Sequence, residues 1–178
     1  MARSDPHAAS AEDALELLSD DQDAILELFD RYDTLASDGA PPGERRSLAE
    51  EICSLVAVHV EIKREILYPA ARDALSDETA VDEAIEAHDG LDATIADIQA
   101  GDATEPRYDA GVRVLQELFV ECMEQERAAL FPQLRGSTLD LEELGGELSA
   151  RQEILLIRGH RRLGLRLPIQ MRVQRRVR

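Results

Sequence analysis

The chain has one lysine, two cysteines and no run of about 18 consecutive apolar residues, the length that marks a membrane span. Each scarcity excludes something. With no such run, and no signal-like apolar segment in MARSDPHAASAEDALELL, the expectation is a cytoplasmic protein with no membrane partner. Two cysteines without an export signal are poor material for a disulfide framework. A Gly-rich phosphate loop, a nucleophile elbow and zinc-ribbon spacing are missing too, so the chain is not expected to be an enzyme.

What is present suits one domain: 178 residues, 44% of them apolar. The net charge of −17 is unevenly spread. Residues 1–150 carry 36 Asp and Glu against 11 Lys and Arg, whereas residues 151–178 carry nine Arg and one Glu. An acidic body repels nucleic acid and anionic membrane, so the expected partner, if there is one, is an unidentified protein. The bland reading of the acids is a solvated helical surface.

Apolar residues recur at helical spacing in four long segments, and period-two alternation is absent before residue 158. The spacing predicts an all-α fold. Helices are expected over about 11–35 (entered by Ser10, with Asp13 three residues on), 44–75, 79–100 and 107–135, with a shorter fifth from near Asp140 that fades before Gly159. Short connections make neighbours antiparallel, giving an up-down-up-down four-helix bundle with a short extra C-terminal helix. Pro69 and Pro132 should kink or end the hydrogen-bonding late in the second and fourth helices. The domain expectation is a disordered N-terminus (1–10), a bundle (11–157) and a basic, disordered tail (158–178). Should the tail act, it touches an acidic partner or the body's own surface.

The inward stripes are Leu15, Leu18, Gln22, Ile25 and Phe29; Ile52, Val56, His59, Lys63 and Ile66; Val81, Ile85, His88, Leu91, Ile95 and Ile98; and Leu115, Phe119, Cys122, Glu126 and Leu130. Each is interrupted in its middle by a polar or sulfur-bearing group. Four interruptions meeting near one level suggest a shared internal site. HVEIKREILYPAARD from His59 and CMEQERAALFPQLRG from Cys122 also align without a gap, setting Lys63 against Glu126 and Tyr68-Pro69 against Phe131-Pro132. In that frame Cys53 lies six residues before the level of Cys122, about 9 Å along a helix. A bridge reaches about 7 Å between Cα atoms, so both thiols are expected reduced.

These pieces resemble the hemerythrin family in its HHE cation-binding branch. ELLSDDQDAILELFDRYD is similar to the family's first helix, HVEIKREILYPAARD to its second, EAIEAHDGLDATIADI to its third and ECMEQERAALFPQLR to its fourth. The resemblance implies a bundle around two irons bridged by carboxylates, in proteins that bind oxygen or respond to nitric oxide and oxidative stress. It also implies a ligand set that this chain keeps only at His59, His88 and Glu126. Gln22, Lys63 and Cys122 stand where the family has His, Glu and His.

Lys63 weighs most. A unit charge about 5 Å from a divalent ion is repelled by roughly 6 to 7 kcal/mol at an effective dielectric of 20. Neutralising it near pH 7 costs roughly 4 to 5 kcal/mol. A di-iron centre is therefore disfavoured, and the expected place for the ammonium is the metal's former void, paired with Glu126. Three functional readings stay open. The first is a non-catalytic binding or regulatory module, either metal-free or holding one iron or zinc ion on His59, His88, Cys122 and Glu126. The second is a working non-haem iron protein for oxygen or nitric oxide. The third is a thiol redox sensor, with the Cys122 pKa lowered by Lys63.

Overall fold

The computed structural model describes residues 13–163, with side chains through residue 159. Asp13 starts the first helix, α1 (Ala14–Ser37), because its Oδ1 accepts the N–H groups of Leu15 and Glu16 at 2.8 and 2.9 Å. Two orphan donors are satisfied, and a negative charge sits at the positive end of the helix dipole. The start is thus three residues later than expected; Ser10 and the N-terminal segment lie outside the described residues. At the other end Gly39 takes φ 69°, a left-handed conformation that suits glycine, and the N–H of Ala40 returns to the Leu35 carbonyl at 2.9 Å.

Pro42 opens α2 (Pro42–Ile62), which runs into a π-helical turn, π1 (Lys63–Leu67), and then α3 (Tyr68–Ala74). After α4 (Thr79–Ala100), the second half repeats the plan: α5 (Pro106–Gln125), π2 (Glu126–Leu130) and α6 (Phe131–Arg135). A proline lacks an N–H and its ring crowds the carbonyl four residues back. Neither helix breaks here. Instead, just before each proline, the Tyr68 and Phe131 N–H groups reach back five residues, to the Lys63 and Glu126 carbonyls.

The wide turn changes which side chains face inward. In a regular helix, position i+5 lies about 140° from position i; when five residues close the turn, the two share a face. Lys63 and Tyr68 are accordingly both buried, and Leu67 with them, while Ile66, expected on the inward stripe, is only half-buried. Ile85 is likewise half-buried, and the other expected stripe positions are buried.

Helix α7 (Leu141–Leu163) begins where Asp140 Oδ1 accepts the Glu143 N–H at 3.0 Å, and it packs on α1 and α2. It does not fade before Gly159, and its last turns occupy part of what was expected to be tail. Gly159 is a point of close approach instead: a Cβ there would lie 3.2 Å from Ser54 Oγ. The sequence also alternates in a strand-like period from Leu163 to Val173; Leu163 closes α7, and the rest of that stretch lies outside the described residues.

The core forms two apolar masses. One gathers Leu15, Leu18, Ile62, Leu67, Leu130, Leu134 and Leu148; the other gathers Ile25, Phe29, Ile52, Val56, Leu91, Leu115 and Phe119. Each such side chain contributes about 1.5–3 kcal/mol by leaving water. Both cysteines are free and buried, as expected of reduced thiols. Among the described residues there is no strand, and no helix is long and apolar enough to cross a membrane.

Candidate functional site

Among the described residues the buried polar and charged side chains are Gln22, His59, Lys63, His88 and Glu126, each at most 2% exposed. Gln22, His59 and His88 interrupt the apolar stripes of α1, α2 and α4, and Lys63 and Glu126 open π1 and π2, so the polar layer lies where the two apolar masses meet. Burying two charges costs several kcal/mol per ion after relaxation, so the layer persists only with close pairing.

That pairing centres on Glu126. The Lys63 Nζ donates to Glu126 Oε1 and Oε2, both at 2.9 Å, and the Tyr68 hydroxyl donates to Oε1 at 2.7 Å. Gln22 Nε2 approaches Oε2 at 3.3 Å. Burial alone pushes the Glu126 carboxyl up, but the Lys63 charge and these hydrogen bonds outweigh it, so its pKa is lowered and it stays ionised. Tyr68 also places its oxygen 3.0 Å from His88 Nε2, with the rings tilted against each other.

Outside this centre, Arg127 Nε donates to Gln22 Oε1 at 2.8 Å, and its Nη2 reaches Asp23 at 2.7 Å and the Ser19 carbonyl at 3.1 Å. Arg127 thereby turns the Gln22 amide so that its NH2 faces Glu126. The connected chain is Asp23–Arg127–Gln22–Glu126–Lys63, with Tyr68 linking Glu126 to His88.

His59 stands apart from this chain. Neither ring nitrogen has a hydrogen-bond partner; its ring lies edge-on to Phe119 with centroids 5.9 Å apart, and Nδ1 is 3.8 Å from Asp21 Oδ2, too far for a hydrogen bond. Burial, and then the Lys63 charge, hold the His59 pKa well below the usual imidazole range and push His88 down to about 2. Both rings are neutral at physiological pH. Asp21 accepts from Gln152 of α7, and burial raises its carboxyl to about 7.

Cys122 is buried but makes no hydrogen bond within the layer. Burial pushes its thiol up despite the opposing charge of Lys63. This is opposite to the lowered pKa that the thiol-sensor reading requires.

The structure thus brings together Gln22, Lys63, His88 and Glu126, and leaves His59 and Cys122 in the layer without bonds to them. Sequence reasoning missed Tyr68, Arg127 and Asp21. Tyr68 carried a signal: it is the hydroxylated member of the Tyr-Pro and Phe-Pro pair. Arg127 and Asp21, next to Glu126 and Gln22, carried none.

Among the described residues, no group of three or more His, Cys, Asp and Glu side chains is placed to hold a metal ion. Comparison with curated protein sequences gave no match. The crystal structure of a hemerythrin HHE cation binding domain-containing protein from Mycobacterium kansasii superposes with a TM-score of 0.66 at 22% identity, covering 80% of this chain and 86% of that one. At that identity the likeness shows the fold alone. The family model for the hemerythrin HHE cation binding domain matches residues 13–134, and with that match over most of its length the chain belongs to the hemerythrin HHE family.

Proposed function

We propose that this chain is a hemerythrin-type bundle whose di-iron site has been replaced by a buried ion pair, and that it acts as a non-catalytic binding or regulatory module. One observation carries the reading: both oxygens of Glu126 are engaged by the Lys63 ammonium at 2.9 Å. A carboxylate that bridges two cations needs those lone pairs, and an ammonium in the same space repels the cations by several kcal/mol. The residues present do not fit a bridged pair of irons.

A single ion is the second form of the proposal. It is supported by the unpaired nitrogens of His59 and by the unpaired Nδ1 of His88, which leave donors free in the layer. Glu126 would join them only by leaving Lys63, so the metal-free form is the better supported. The rival reading is a working non-haem iron protein for oxygen or nitric oxide.

Iron loading under reducing conditions, followed by desalting, elemental analysis and a visible spectrum in air, tests the proposal. The expected result is at most one iron per chain and no oxo-bridged charge-transfer band. Two tightly held irons per chain would overturn it.

A further inference from the structure

We infer that the Arg-rich segment 164–178 docks back onto the bundle, in a groove on the outer face of α2 between α7 and α4. The groove has a volume of about 750 Å³ and is lined by Ser54 and Ala57 on its floor, Leu155 and Arg158 of α7 on one rim, and Gln99 of α4 on the other. Glu50 and Glu61 of α2 also line it. Ser54 and Ala57 are small, which leaves room between the lining residues of α7 and α4.

Three observations select this occupant. The first is where the described chain ends. Helix α7 runs antiparallel to α2, since Arg151 pairs with Glu65 while Gly159 lies against Ser54. It therefore leaves toward the Glu50 end, and Leu163 is only four residues, about 6 Å, past a residue of the groove itself. The second is length. Glu50 and Glu61 are 11 residues apart on a helix, about 16 Å, and an extended chain covers that distance in about five residues. Arg166 and Arg172, six residues apart, span nearly the same distance.

The third is chemistry. Residues 164–178 carry five Arg and no acid, so the remainder of the chain holds −22 of the total −17. In an extended chain Arg166 and Arg172 share one face and Leu167, Ile169 and Met171 lie on the other, so it is the arginine face that turns toward Glu50 and Glu61. The two-helix rim supplies what a bundle otherwise lacks, a trough that an extended chain can enter.

The test uses the full chain with Ile169→Cys carrying a nitroxide on the face turned away from the arginines; Cys53 and Cys122 are buried and stay unlabelled. At low salt, paramagnetic broadening is expected at the amides of Ser54, Ala57, Gln99 and Leu155 and not at Val114, on an exposed part of α5. Adding Arg166→Glu and Arg172→Glu sets acids opposite Glu61 and opposite Glu50, whose Oε1 also accepts from Arg46, and should lower the docked-to-free ratio about fivefold. These changes lie outside the bundle, so helical content serves as the folding control.

Broadening spread evenly over the surface, absent at Ala57, or unchanged by the charge reversals overturns the inference. So does broadening that appears only when spin-labelled chain is mixed with unlabelled chain, because the occupant would then come from a second copy.

Discussion

Lys63 and Glu126 occupy the same place in two copies of one motif, and each opens a five-residue π turn whose last residue precedes a Tyr-Pro or Phe-Pro pair. Side chains that a shared ancestor pattern would make alike are instead opposite in charge, and they meet at 2.9 Å. The pair's energetics follow from its burial. Lys63→Met should cost about 3–5 kcal/mol, because Glu126 keeps its charge without its counterion. The double change Lys63→Met with Glu126→Leu should cost less than either single change, since no buried charge remains and Tyr68 keeps His88. Urea denaturation of the four proteins checks both statements.

Restoring the family's ligand types tests how far the rest of the layer has moved. Gln22→His, Lys63→Glu and Cys122→His together should recover iron, read as two irons per chain by elemental analysis. Lys63→Glu alone should not, because it places a second carboxylate beside Glu126 with no imidazole from α1 or α5 to complete either half. Failure of the triple variant to bind would mean that the Tyr68 hydroxyl holds Glu126 away from the metal position.

Acid should unfold the metal-free protein with a slope that the buried groups set. The pKa values of His59 and His88 are depressed in the fold, so their neutral forms stabilise it above 6.5, and this is lost as pH falls below 6.5. Asp21 is raised from 3.8 to about 7, so it takes up a proton in the fold first and opposes that loss between those values. Two histidines against one carboxyl leave a net loss of stability as pH falls below 6.5. Asp21→Asn removes the opposing group and should steepen that loss in chelator-treated protein, by up to about 1.4 kcal/mol per pH unit, measured by urea midpoints from pH 7 downward.

Two glycines of α7 should answer substitution with opposite signs. Around Gly146 nothing lies within 4 Å of an added Cβ, so Gly146→Ala should stabilise by about 0.4–1 kcal/mol through chain entropy. At Gly159 a Cβ already meets Ser54 Oγ at 3.2 Å, and Gly159→Leu should cost about 1–3 kcal/mol by pushing α7 from α2. Thermal melts of both variants against the parent decide the matter.

Much of the site was legible because helical spacing marks a face without needing a partner. Gln22, His59, Lys63, His88 and Glu126 all fall on apolar stripes, and the structure buries all five. Ile66 was misplaced because a stripe drawn at 3.6 residues per turn takes no account of the π turn before Pro69, although that proline was in plain view. The amphipathic period, the punctuation by Gly and Pro, and the lone lysine on an inward stripe are local properties, and one strand of sequence contains them. Which group answers that lysine is different. It depends on the rotation and register of helices 63 residues apart in the chain, fixed by the two apolar masses packing at once. Only that packing set the Tyr68 hydroxyl between Glu126 and His88, brought Arg127 to Gln22, and left the His59 nitrogens without partners.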